Sequence, residues 1–154
     1  MDNEMKTIII DGKNKVMGRL ASTVAKLLLQ GNKVIVLNAK DIVITGSRNY
    51  TIELWEKRFS RSDIGNPRRY GPKISVRPDF FFKRVVRGML PRKQAKGRMA
   101  LKNLKVYIGT PEEYKNKDVL ELKNIEPKSE YLTRNKIITI GELVTRFGWK
   151  GGVQ

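Results

Sequence analysis

Residues 7–37 open with Thr7-Ile8-Ile9-Ile10, pass through a polar loop from Asp11 to Gly18, and continue as Arg19-Leu20-Ala21-Ser22-Thr23-Val24-Ala25-Lys26-Leu27-Leu28-Leu29-Gln30. Gly31-Asn32-Lys33 then leads into Val34-Ile35-Val36-Leu37. The two outer runs are continuous, apolar and β-branched, the pattern of strands buried on both faces. Between them Leu20, Val24, Leu27 and Leu28 recur at i, i+4, i+7 and i+8, one apolar stripe of a helix. Gly31 stands where a helix-ending residue with positive φ belongs. Strand, helix and strand in about 30 residues make a βαβ unit. Such a unit predicts parallel pairing and a right-handed crossover.

Working outward, Ile42-Val43-Ile44-Thr45 predicts a third strand, and Ser47 is placed to cap a second helix carrying Ile52, Trp55 and Phe59 on one face. Leu104 to Ile108 predicts another strand. Thr110-Pro111-Glu112-Glu113 has the cap, proline and acidic first turn of a helix start. Ile137 to Ile140 reads as strand, and Glu142 to Phe147 as a short helix stopped by Gly148. The chain shows no fixed-period repeat and no low-complexity tract. Its 154 residues and 40% hydrophobic content fit one α/β domain over residues 1–154.

Charge narrows the function. Lys and Arg number 32 against 15 Asp and Glu, a formal net charge of +17. Half of that basicity is concentrated: residues 57–105 hold 16 cations against Asp63 and Asp79, which is +14 of the +17. From Phe80 to Thr110 there is no acid. A stretch so unbalanced repels itself unless a polyanion neutralises it. Cysteine and histidine are both absent, which excludes disulfides, thiol nucleophiles and Cys/His zinc sites, and removes the usual proton-transfer side chain. No enzyme activity, cofactor, metal or small-molecule substrate is therefore expected. No apolar run approaches the roughly 18 residues a membrane helix needs, and Met1-Asp2-Asn3-Glu4 lacks the layout of a signal peptide. These two points predict an intracellular protein without a membrane partner.

The basic block, 57–105, divides in two. Asn66-Pro67, Gly71-Pro72 and Arg77-Pro78 make residues 57–77 an extended loop. Here Arg58, Arg61, Arg68, Arg69, Lys73 and Arg77 are the candidate phosphate ligands, with Tyr70 and Phe59 available to bases or sugars. Residues 78–90 predict a helix opened by Pro78, with Phe81, Val85, Val86 and Met89 on an apolar side and Lys83, Arg84 and Arg87 elsewhere on its surface. Arg92, Lys93, Lys96, Arg98 and Lys102 extend the cationic run. Gly88, with Pro91, is expected to let the chain turn sharply and approach a nucleic-acid backbone closely.

Gly12-Lys13-Asn14-Lys15-Val16-Met17-Gly18-Arg19-Leu20 lies between strand and helix like a nucleotide-binding loop. Five residues rather than four separate the glycines, and Arg19-Leu20 replaces Lys-Ser/Thr. A helix N-terminus flanked by Lys13, Lys15 and Arg19 is still suited to one backbone phosphate.

Several stretches also resemble a known family. Val16-Met17-Gly18-Arg19-Leu20-Ala21-Ser22, Ile42 to Gly46 with the basic loop, Arg84-Val85-Val86-Arg87-Gly88-Met89-Leu90-Pro91 and Leu104-Lys105-Val106-Tyr107-Ile108-Gly109 are similar, in this order, to motifs of the universal large-subunit ribosomal protein family numbered thirteen. Asn66-Pro67-Arg68, Gly71-Pro72 and Lys96-Gly97 resemble its archaeal and eukaryotic branch. The matches span about residues 6 to 115; residues 117–154 match less clearly. The resemblance implies a three-layer α/β/α sandwich around a mostly parallel four-stranded sheet in the order 3-2-1-4. It also implies a structural constituent of the large ribosomal subunit in the cytoplasm, binding large-subunit ribosomal RNA, touching neighbouring ribosomal proteins and supporting assembly. Two other readings fit the charge: an RNA-modifying enzyme with a Rossmann-like core and a DNA architectural protein. The first needs a cofactor loop and a reactive centre, and the sequence carries no G-x-G-x-x-G after a strand.

Overall fold

In the computed structural model, which describes residues 5–62, 64–66, 68 and 71–151, β1 (Thr7–Asp11) and β2 (Lys33–Leu37) run parallel, Thr7 paired with Lys33 and Asp11 with Leu37. Helix α1 (Met17–Leu29) joins them and ends at Gly31, whose φ is +92°. The βαβ unit expected from residues 7–37 is present. Its buried stripe is Leu20, Ala21, Val24, Ala25 and Leu28, whereas Leu27 is only half-buried.

The chain continues through β3 (Val43–Thr45), α2 (Arg48–Phe59), α3 (Pro78–Gly88), α4 (Ala95–Lys102) and β4 (Leu104–Val106). It ends with α5 (Ser129–Thr133), β5 (Ile137–Thr139) and α6 (Ile140–Arg146). The main sheet has three parallel strands in the order β1-β2-β4, and β3 pairs antiparallel with β5 in a separate two-stranded ribbon. The four-stranded order 3-2-1-4 is thus corrected: β4 lies beside β2 rather than β1, and β3 stands outside the sheet. After β2, Asn38 takes a left-handed conformation (φ +56°) and a 3-10 turn at Ala39–Asp41 carries the chain out of the sheet. That turn is fixed by Asn38 N–H donating to the Gly109 carbonyl and Ala39 N–H to the Tyr107 carbonyl. The second edge of β2 is therefore taken by β4 and its continuation, leaving no place for β3. β1 is instead approached on its far edge by Leu120, whose N–H donates to the Ile9 carbonyl at 2.8 Å.

The three-layer expectation is also corrected. Ile10, Val34, Val36 and Leu104, on one face of the sheet, join residues of α1, α2, α3, α4 and α6 in the main core. On the other face Ile9, Ile35 and Leu37 form a small separate cluster covered by Tyr107 and Tyr114, with no α-helical residue in it among those described. One reason is local: Thr110-Pro111-Glu112-Glu113 forms only a 3-10 turn, Glu112–Tyr114, and the Thr110 hydroxyl donates to Asn38 Oδ1 at 2.9 Å instead of starting a helix.

Other local readings hold with adjustments. Ser47 is the N-cap of α2, but it is its carbonyl, not its side chain, that serves the first turn, accepting from Thr51 N–H and Oγ1. Thr139 does cap α6, its Oγ1 accepting from Glu142 N–H. In α3 the buried residues are Pro78, Phe81, Phe82 and Val86; Met89, beyond the helix, is exposed. Residues 57–59 belong to α2 rather than to the basic loop.

Candidate nucleic-acid interface

The basic block folds as the end of α2, a loop, α3 and α4. Helix α4 had no clear periodic signal; its buried residues are only Gly97 and Ala100, too small to announce a face. Gly97 makes the packing possible. A Cβ there would collide with the carbonyl oxygen of Pro91 and press on Arg92 N, so α4 crosses the 91–92 backbone with a hydrogen atom as the only spacer. Gly88, by contrast, lies at the end of α3 with open space where a Cβ would be.

Aromatic packing fixes α2 against α3. The Trp55 and Phe81 ring centroids lie 4.5 Å apart, and Phe59 sits between Trp55, Phe81 and Phe147, 4.6 Å from the last. Phe59 is thus partly buried against the core rather than standing free in a loop. Two adjoining clefts then gather cations from three parts of the block. One, of about 360 Å³, takes Arg58 and Arg61 together with Arg84 over Trp55 and Phe81. The other, of about 300 Å³, takes Lys73, Lys83, Arg84 and Arg87 around the exposed ring of Phe80. Arg84 borders both. Arg58 is held with its guanidinium 4.6 Å from the Trp55 ring centre, and Arg77 lies 4.9 Å from that of Phe80. Lys83 Nζ donates to the Leu104 carbonyl at 3.2 Å, tying α3 to β4.

Within 57–105 the ion pairs seen among the described residues are Lys57 with Glu53 and Arg77 with Asp79. The Glu53 carboxyl is held below its ordinary range by the Lys57 hydrogen bond, and Lys57 is correspondingly raised. No carboxylate among the described residues pairs with Arg58, Arg61, Arg68, Lys73, Lys83, Arg84 or Arg87. The same is true of Arg92, Lys93, Lys96, Arg98 and Lys102, all exposed on and before α4. Arg69 and Tyr70 lie outside the described residues.

The expected phosphate site before α1 is arranged differently. Val16 N–H, at the helix entrance, donates to the Ile125 carbonyl, Lys15 pairs with Glu126 at 2.8 Å, and Arg19 reaches the Asn124 carbonyl at 3.5 Å. The Lys15 hydrogen bond lowers the Glu126 pKa. Residues 124–126 thus supply the partners that a phosphate was expected to supply, and Lys13 alone of the three keeps an uncommitted side chain. Nothing in the spacing of residues 12–20 signals this, because the partner arrives from the far end of the chain.

The α/β core thus carries an extended cationic surface whose side chains, Lys57 and Arg77 apart, have no ion-pair partner among the described residues. Sequence comparison identifies the class of protein. The profile of the family Ribosomal protein L13 matches residues 5–113. The chain is 46% identical to the large ribosomal subunit protein uL13 of Methanosphaera stadtmanae over 79% of this chain and 85% of that protein. It is 41% identical to the same protein of Methanocaldococcus jannaschii over 92% and 98% of the two chains, and 37% identical to that of Aeropyrum pernix over 98% and 96%. The chain belongs to the ribosomal protein L13 family. The last two alignments run over 142 and 151 residues, so they take in the C-terminal third as well.

Proposed function

We propose that this protein is a structural constituent of the large ribosomal subunit that binds large-subunit ribosomal RNA through its basic block and supports subunit assembly. The supporting observation is the convergence of cations from α2, the loop and α3, without ion-pair partners among the described residues, on two clefts that share Arg84, extended by the exposed cations of α4. Lys and Arg there neutralise phosphates and fix orientation, while folded RNA is recognised through its shape, backbone and unpaired bases. Phe80, exposed within the second cleft, offers a stacking surface beside Arg84 and Arg87. The setting is the cytoplasmic ribosome, with neighbouring ribosomal proteins as further partners. Among the described residues no helix is long and apolar enough to cross a membrane. The role is architectural and uses no catalytic residue or cofactor.

Filter binding to a large-subunit ribosomal RNA fragment, against duplex DNA of equal length, tests the reading. Preference for the RNA that persists at moderate salt is expected. Equal affinity for both would favour a general architectural protein.

A further inference from the structure

We propose that the helix-free face of the main sheet is a second RNA contact, which takes one unpaired nucleotide together with its flanking phosphates. The inference rests on the reading of the chain as an RNA-binding protein, but the site is separate from the clefts around Arg84. On this face lies a cleft of about 630 Å³, within the roughly 300–1,000 Å³ usual for small-ligand sites. Its floor is lined by Ile9 and Ile35, 7% and 6% exposed, on the adjacent strands β1 and β2. Tyr114 forms a wall, held by the Tyr107 ring at 5.5 Å and by Lys117 Nζ 4.7 Å from its ring centre. Interaction with the Tyr114 hydroxyl, and then burial, pushes the Tyr107 phenol above its usual range.

Lys33, Lys102, Lys105 and Lys117 stand around the cleft, all exposed, and no carboxylate lines it. None of the four has an ion-pair partner among the described residues; Glu112, on the neighbouring turn, is engaged by Lys115. Lys102 and Lys105 are also the last cations of the basic block, so the positive surface is continuous from α4 onto this face. A base is planar and apolar on its faces, which suits a floor of two isoleucines beside a tyrosine ring. Its edge needs a donor and an acceptor, and the Asn103 amide on the rim has both. Phosphates on either side of the base fall at the lysine rim. An acidic peptide would use the lysines but leave the apolar floor without a matching partner.

The test uses the full chain, a large-subunit ribosomal RNA fragment and two double variants. Lys33→Gln/Lys117→Gln alters exposed side chains only, and an unchanged urea midpoint confirms that it folds. Loss of two phosphate contacts is expected to reduce the slope of log K against log salt by roughly 1.4–1.8, at 0.7–0.9 per contact. Ultraviolet irradiation of the wild-type complex is expected to leave a nucleotide adduct on the peptide containing Tyr114. If the slope is unchanged while Arg84→Gln/Arg87→Gln lowers it, the second contact is refuted and the main interface stands. If neither pair lowers it, both readings fall. A crosslink in intact large subunits from Lys33 or Lys117 to an acidic residue of another protein, with no adduct on Tyr114, would assign the face to that protein and overturn the proposal.

Discussion

Lys15 Nζ lies 2.8 Å from Glu126 Oε1, so the loop before α1 is tied to a segment 111 residues further along the chain. A cation that the sequence offers to RNA is thereby held by the protein itself. Glu126→Gln is expected to release it, steepening the salt dependence of RNA binding by roughly 0.7–0.9 in slope, one added phosphate contact. Acid should act in the same direction. Because the Glu126 pKa is lowered in the folded chain, the pair contributes at neutral pH and is lost as pH falls through that lowered value. Filter binding over a salt series at two pH values measures both, and a slope unmoved by the substitution would make Lys15 a purely structural tie.

Arg84 and Lys57 make a second comparison, since one borders both clefts and the other is paired with Glu53. Arg84→Ala is expected to weaken RNA binding and to reduce the salt slope by roughly 0.7–0.9. Arg87→Ala and Lys96→Ala should do likewise. Lys57→Ala and Lys115→Ala, each removing a cation already matched by an acid, should change it far less. Equal slopes for all five variants would move the interface elsewhere on the protein.

Gly97→Ala is a steric test of the α3–α4 arm. The added methyl meets the Pro91 carbonyl, backbone against which no side chain can rotate away. A cost of about 1–3 kcal/mol is expected, as for overpacked sites. Gly88→Ala, with open space around it, should be neutral or slightly stabilising, as Ala is favoured over Gly in a helix. Urea denaturation of the two variants measures the difference.

The α1 seam gives the fourth prediction. Leu28→Ala removes a side chain that is 2% exposed, and should cost about 2–5 kcal/mol. Leu27→Ala, half-buried at the margin of the core, should cost clearly less. Equal losses would mean that the helix is rotated from the position described.

What the sequence reveals is governed by how local the cause is. The βαβ unit, α3 with Pro78 at its start, and the strand at Leu104 all announce themselves through apolar runs and capping chemistry within a dozen residues. Helix α4 does not, since it packs through Gly97 and Ala100 and carries almost no apolar signal. The sheet order is equally silent: it depends on Asn38 turning left-handed and binding residue 109, a pairing no periodicity records. At the interface, the cations of 57–105 were evident from their missing counter-charges. That Lys15 is paired and Phe59 packs against the core could be known only once residues 124–126 and Phe147 were in place.

The uncompensated cations of α3 and α4 also set how the protein responds to its surroundings before and after it meets RNA. Alone, the folded chain crowds like charges onto one side, and added electrolyte relieves that repulsion by screening it. In the complex proposed above, the same charges would hold phosphates whose counterions have been released, and added electrolyte would loosen them. Ionic strength therefore pulls the free fold and the complex in opposite directions. The protein is at its least comfortable in dilute solution by itself, the condition in which its hold on RNA is tightest.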